Sequence, residues 1–129
     1  MNASRRLVLA LALAAAFAPS AFAGSPQPFD ASAFAAAQAA GRPILVEITA
    51  PWCPICRVQK PILEKLASEP RFSDMAVFAI DFDSQKDLMA RFGVSLQSTL
   101  VMFRGEKEVG RSTGETQPEW IEALLEKGL

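Results

Sequence analysis

Two cysteines, Cys53 and Cys56, stand three residues apart in Trp52-Cys53-Pro54-Ile55-Cys56, and they are the chain's whole thiol complement. The 129 residues contain no histidine, so the usual neutral-pH base and the commonest metal ligand are both missing. Chemistry at a side chain therefore centres on the two thiols. If Cys53 caps a helix, Cys56 lies one turn further along, within bonding reach. The ring such a bond closes is short, and short rings stabilise little by chain entropy, so a reversible bond makes better sense as a redox device than as a staple. A helix N-terminus offers unpaired N–H groups and the positive end of its dipole, which favour a thiolate at Cys53. The dipole contributes about 0.3–1 kcal/mol, against about 1.36 kcal/mol per pKa unit. A larger depression requires direct N–H···S bonds from residues 55 and 56, because Pro54 has no N–H to give. Other uses of the pair are half of a zinc site completed in a dimer, two unreactive buried thiols, or a purely structural bridge.

The flanking elements must hold this motif. Pro43 opens a strand at Ile44-Leu45-Val46-Glu47-Ile48-Thr49, whose nearly continuous apolar character fits a central strand covered on both faces. Ala50-Pro51-Trp52 turns into a helix over about 54–68, with Ile55, Val58, Ile62, Leu63 and Leu66 at helical spacing. Pro61 falls inside it, and Glu69-Pro70 ends it. Before the strand, Asp30 caps a helix over 31–40 that Gly41 stops. After it come a strand over 75–82, a helix capped by Ser84 and running through Phe92, and a strand at Thr99–Phe103. Gly105-Glu106 turns into Lys107–Ser112, a hairpin. Thr116-Gln117-Pro118-Glu119 reads as a capping box opening a last helix to Lys127, with Trp120, Ile121, Leu124 and Leu125 as its buried face. The helix between the first two strands makes them a parallel, right-handed βαβ unit. Within the first strand, Leu45, Glu47 and Thr49 share a face. Glu47 should then be largely buried, with a raised pKa, and able to exchange a proton with Cys56.

The N-terminus carries a different signal. Arg5 and Arg6 precede an apolar run from Leu7 to Ala18, too short to span a bilayer, and Ala21-Phe22-Ala23 is a small-x-small cleavage site. Residues 1–23 read as a secretory signal peptide, which predicts a periplasmic or secreted protein with no stable membrane insertion once the signal is removed. Residues 24–29 read as a flexible leader and 30–129 as one domain. Removing Arg5 and Arg6 leaves 11 basic residues against 14 acidic ones, a net charge of −3, and no basic patch suggests nucleic acid.

The βαβ unit with Trp-Cys-x-x-Cys at its first strand-to-helix turn, followed by a helix, a hairpin and a terminal helix, resembles the thioredoxin family over nearly all of 30–129. Pro61, five residues after Cys56, matches as well. The resemblance implies an α/β thioredoxin-like fold, a central mixed β-sheet flanked by helices on both faces. It implies Cys53 as the exposed attacking thiolate and Cys56 as the buried resolving thiol. Trp52, Pro54, Ile55, Gln97, Ser98 and Gly114 are implied to line the groove that docks a partner protein. Where the family usually has Asp before the motif this chain has Glu47, and Ala79 stands where a Lys often faces that acid. Ser98 occupies the place of a proline that is normally cis. A cis peptide costs serine about 2.5–4 kcal/mol against about 0.5–1 for proline, so the Gln97–Ser98 bond is expected to be trans.

The whole reads as an exported thiol–disulfide oxidoreductase. It needs no organic cofactor or metal, acts as a monomer, and exchanges electrons between a membrane or periplasmic donor and protein disulfides. The lack of a charged residue between the cysteines leans toward a reductant. The alternatives are a dithiol oxidase, or a dimeric metal or iron–sulfur module using the same cysteines.

Overall fold

The centre of the molecule is a strand, β2 (Pro43–Thr49), flanked on both edges and covered on both faces in a computed structural model that describes residues 25–129. In chain order the other elements are β1 (Gln27–Pro28), α1 (Ala31–Ala39), α2 (Pro54–Ala67), β3 (Ala76–Asp81), α3 (Lys86–Arg91), β4 (Thr99–Arg104), β5 (Lys107–Thr113) and α4 (Pro118–Glu126), with a short 3-10 turn at Pro70–Phe72. The strands lie in the order β1-β3-β2-β4-β5. β2 runs parallel to β3 and antiparallel to β4, and β4 and β5 form the expected hairpin. The mixed sheet with helices on both faces is the one expected. The proposed signal, 1–23, lies outside the described residues. Within the stretch read as a leader, Gln27–Pro28 forms a stub of a first strand on β3, and Phe29 packs against Phe34, Phe78 and Phe92.

Strand alternation divides the core in two, because successive side chains leave opposite faces of a sheet. Ile44, Val46 and Ile48 face a cluster with Phe34 of α1 and Met89 of α3. Leu45 faces the other cluster, with Leu63 and Leu66 of α2 and Ile121, Leu124 and Leu125 of α4. α1 starts as expected: Asp30 Oδ1 accepts the Ala33 N–H at 2.7 Å. The hairpin turns at Gly105, whose φ of +57° suits glycine, and a Cβ there would come 3.2 Å from the Gln38 carbonyl oxygen.

Two capping expectations fail, and both side chains are committed elsewhere. Ser84 does not cap α3, since its N–H and hydroxyl both donate to Asp81 Oδ1 in the turn after β3. Thr116 does not cap α4. Gln117 occupies that position without a side-chain bond, and Glu115 Oε1 accepts the N–H groups of Thr116 and Gln117 instead. Trp120 is not part of the buried face of α4 but is 64% exposed. Ile121, Leu124 and Leu125 occupy the arc that faces the sheet, and Trp120 sits at its edge in the first turn. On α2, Ile55 and Val58 are likewise exposed, because the stripe through Cys56, Gln59, Leu63 and Leu66 is the one that meets the sheet.

Candidate functional site

The motif sits where β2 ends and α2 begins. The Cys53 N–H donates to the Ala50 carbonyl, and Cys53 takes an extended conformation as the N-cap of α2. Pro54 follows at the first helical position, where its missing N–H costs nothing. The two cysteines are joined in a disulfide with their Cα atoms 5.3 Å apart. The Cys56 N–H donates to Cys53 Sγ at 3.1 Å, the sulfur acting as a helix cap. Arg57, the cation next to the motif, donates its guanidinium to the Pro51 carbonyl and so ties the turn to the helix.

One expectation about exposure reverses. Cys53 is 1% exposed and Cys56 is 9% exposed, so in this oxidised form Cys53 is the better covered of the two. It packs with Ala50 and Cys56 beneath Phe82. Cys56, and not Cys53, borders a cavity between α2 and the sheet.

The residues expected to line a docking groove are partly brought together. Trp52 and Ile55 are 49% and 39% exposed, and Pro54 is exposed as well. Ile55 Cδ1 lies 3.9 Å from where a Cβ on Gly114 would stand, and the Gly114 N–H donates to the Ser98 carbonyl. Gln97 is half-buried and Ser98 is buried. The described residues contain no cis peptide, so the Gln97–Ser98 bond is trans, as expected. Ser98 departs from proline in two further ways. Its φ is +55°, in the left-handed region, and its N–H donates to the Ile48 carbonyl at 2.8 Å. A proline could satisfy neither condition.

Glu47 points from β2 toward the α2 side, with Ala79 opposite it on β3 and Leu100 on β4. Its pKa is raised from 4.5 to about 7, first by desolvation and then by the Glu64 carboxylate, against a lowering influence from Lys60. The charged neighbour that Ala79 does not provide is thus supplied by α2. Asp81 at the end of β3 is shifted the other way, lowered by the hydrogen bonds it accepts from Ser84.

Two contributors escaped the sequence reading. Gln59 is buried, and its Nε2 donates to the carbonyls of Ser98 at 3.1 Å and Glu115 at 2.9 Å, fastening α2 to both loops beside the motif. The available signal was a polar residue in the apolar stripe of α2, three residues after Cys56. Asp83 Oδ2 accepts the Trp52 indole N–H at 2.8 Å, and the Trp52 ring meets Phe82 edge-on. That pairing spans 31 residues, and no local pattern announces it. Among the described residues, no three His, Cys, Asp or Glu side chains gather in a way that could hold a metal ion.

A disulfide at a helix N-cap, one sulfur bonded by the amide of the next turn and an acid behind it, defines a dithiol–disulfide exchange protein. The thioredoxin family model matches residues 26–127, and the chain belongs to that family. It is 35% identical to the thioredoxin of Chlamydia muridarum over 84 residues, which are 65% of this chain and 80% of that one. It is also 35% identical to the bifunctional thioredoxin reductase/thioredoxin of Mycobacterium leprae, where the match spans only 18% of the longer protein. Among solved structures, Trxlp from Edwardsiella tarda is similar at 44% identity with a TM-score of 0.75, covering 78% of this chain and 98% of that one. The thioredoxin of Malassezia sympodialis, at 20% identity and a TM-score of 0.70, shares the fold over 83% of this chain and 93% of its own. The activity is thiol–disulfide exchange through Cys53 and Cys56.

Proposed function

We propose that this protein is an exported reductant of protein disulfides in which Cys53 attacks and Cys56 resolves. The observation that carries the reading is the 3.1 Å hydrogen bond from the Cys56 amide to Cys53 Sγ at the head of α2. That donor and the helix dipole stabilise negative charge on Cys53 rather than on Cys56. In the first step the Cys53 thiolate attacks one sulfur of a partner disulfide, forming a mixed disulfide and releasing the other sulfur as a thiolate. In the second, the Cys56 thiol loses its proton and attacks Cys53 Sγ, and the remaining substrate sulfur leaves as a thiolate. Two electrons have then passed to the substrate, and the Cys53–Cys56 bond is closed.

Glu47 is the proton acceptor for Cys56 in this scheme. Both residues border the same cavity, and a carboxyl with a pKa of about 7 is poised for transfer near neutrality. The exposed Trp52, Pro54 and Ile55 offer the partner a largely apolar landing, edged by the half-buried Gln97 and Gly114, with Ser98 buried behind them. The direction is supported by the modest stabilisation of the thiolate: one amide donor, no N–H at Pro54, and no charged residue between the cysteines. Export is supported by the arrangement of residues 1–23, and it places the protein in the periplasm or outside the cell, where disulfides are the prevailing state.

The roles are tested with single-cysteine variants. Cys53→Ser should abolish disulfide reductase activity, while Cys56→Ser should accumulate partners as mixed disulfides. Preferential alkylation of Cys56 in the reduced wild type would overturn the assignment. Export is tested by the N-terminal sequence of the protein recovered from the producing cell, which should begin at Gly24.

A further inference from the structure

The groove beside the disulfide has two walls, and they are fastened differently. One is the loop before β4, where the Ser98 N–H donates to the Ile48 carbonyl at 2.8 Å and pins the loop to the central strand. The Thr99 hydroxyl donates to the Leu96 carbonyl at 2.8 Å in the same loop. A hydroxyl has one proton to give, so Thr99 accepts from the Thr113 hydroxyl at 3.0 Å, closing the end of the β4–β5 pair. The other wall is the Gly114–Glu115 segment, where the chain leaves β5. The Gly114 N–H donates to the Ser98 carbonyl at 3.0 Å, which ties this wall to the first. Its tie to α2 is Gln59, whose Nε2 donates to the Glu115 carbonyl at 2.9 Å. Among the described residues, that carbonyl accepts no other hydrogen bond.

Gln59 lies one helical turn after Ile55, so the two share a face of α2. At the rim, Ile55 Cδ1 stands 3.9 Å from where a Cβ on Gly114 would be, and one turn deeper Gln59 bonds the next residue of the same segment. Gln59 is 3% exposed. Both of its partners are carbonyls, so only the NH2 end of the amide can serve them, and its orientation is settled. Filling this place in the stripe needs only an apolar side chain of similar volume. What the amide adds is a fixed distance between the helix that starts at Cys53 and the wall that follows β5.

We infer that Gln59 is a positioning residue for partner recognition, holding the Gly114–Glu115 segment against α2 so that a protein partner meets both walls while its disulfide reaches Cys53. The inference rests on the dithiol reading above and adds to it a determinant of substrate size. A protein must rest on both walls as its sulfur comes into line, so a wall that shifts costs it productive encounters. A small disulfide needs only the sulfur and is indifferent to the walls. Gln59 therefore favours protein disulfides over small ones.

The test compares pre-reduced wild type with Gln59→Met, which keeps the side chain's length and removes its donor. Single-turnover rates are measured with insulin as the protein disulfide and dithiodipyridine as the small one. In the variant the insulin rate should fall about fivefold relative to the dithiodipyridine rate, the equivalent of one hydrogen bond. Amide hydrogen exchange at Gly114 should quicken by a similar factor, because its bond to Ser98 is then the remaining tie of that wall. Gln59→Asn, one methylene shorter, should move the rate ratio in the same direction. Ile44→Val, in the core on the other face of the sheet and at the far end of β2, supplies a modest loss of stability and should leave the ratio within about twofold of wild type. A ratio unchanged in both Gln59 variants overturns the inference. So do unchanged exchange at Gly114 in Gln59→Met and an equal fall of the ratio in Ile44→Val. Failure of the pre-reduced wild type to reduce insulin overturns the dithiol reading itself, a separate outcome.

Discussion

The carboxamide of Gln59 donates to the carbonyl of Ser98 at 3.1 Å, joining the helix that carries the disulfide to the loop that takes the place of a proline. The same nitrogen reaches the Glu115 carbonyl. Ser98 keeps a second donor, the Gly114 N–H, if Gln59 is lost. The Gln59→Leu change therefore strands the Glu115 carbonyl more than that of Ser98. A loss of about 1–3 kcal/mol in urea unfolding is expected, with slower reduction of a protein disulfide. Unchanged stability would show that water replaces the amide at no cost.

Glu47 makes stability depend on pH with a definite sign. Its folded-state pKa of about 7 lies above the value of 4.5 for an unfolded chain, so between the two the folded protein holds the extra proton. Stability is then full below about pH 4.5 and declines as pH rises through 7. The decline is on the order of 3 kcal/mol for a shift of this size. Denaturant melts of Glu47→Gln between pH 4.5 and 8 should lack that slope and leave the variant the more stable protein at pH 8.

Mixed-disulfide resolution gives a second readout of the same residue. In the wild type its rate should rise with pH as Glu47 loses its proton near pH 7. In Glu47→Gln that inflection should vanish, leaving the titration of Cys56. Coincident profiles would remove Glu47 from the mechanism.

Ser98→Pro restores the residue usual to the family and is nevertheless expected to damage this protein. It deletes the N–H bonded to Ile48 and demands a φ near −65° where the backbone stands at +55°. The cost should be about 3 kcal/mol or more in a thermal or urea melt. Ser98→Gly keeps the N–H and suits a positive φ, so it should stay within about 1 kcal/mol of wild type.

Trp120→Ala and Ile121→Ala separate neighbours that look alike in sequence. Ile121 is fully buried, and its truncation should cost about 2–5 kcal/mol. Trp120 is mostly exposed, and its loss should cost less than about 1 kcal/mol.

Much of this protein was legible residue by residue. The alternation from Ile44 to Thr49 assigned the central strand and the side that Glu47 faces, because strand geometry is a two-residue rule. Asp30 marked a helix start, and Cys53 was legible as a cap because capping is settled within one turn. The cysteine pair announced its chemistry, since a bond between sulfurs three residues apart depends only on local backbone. What failed was decided at a distance. Ser84 and Thr116 were plausible caps until Asp81 and Glu115 took the hydrogen bonds. Val58 and Trp120 fitted apolar spacing, but a helix has more apolar arc than a sheet can cover. The relative burial of Cys53 and Cys56, the reach of Gln59 to Ser98, and the positive φ of Ser98 all arise where β2, α2 and the loops before β4 and after β5 converge. The cavity behind Cys56 arises in the same way, between α2 and the strands beside it. Such features depend on which surfaces meet, and only the packing of helices onto the sheet determines that.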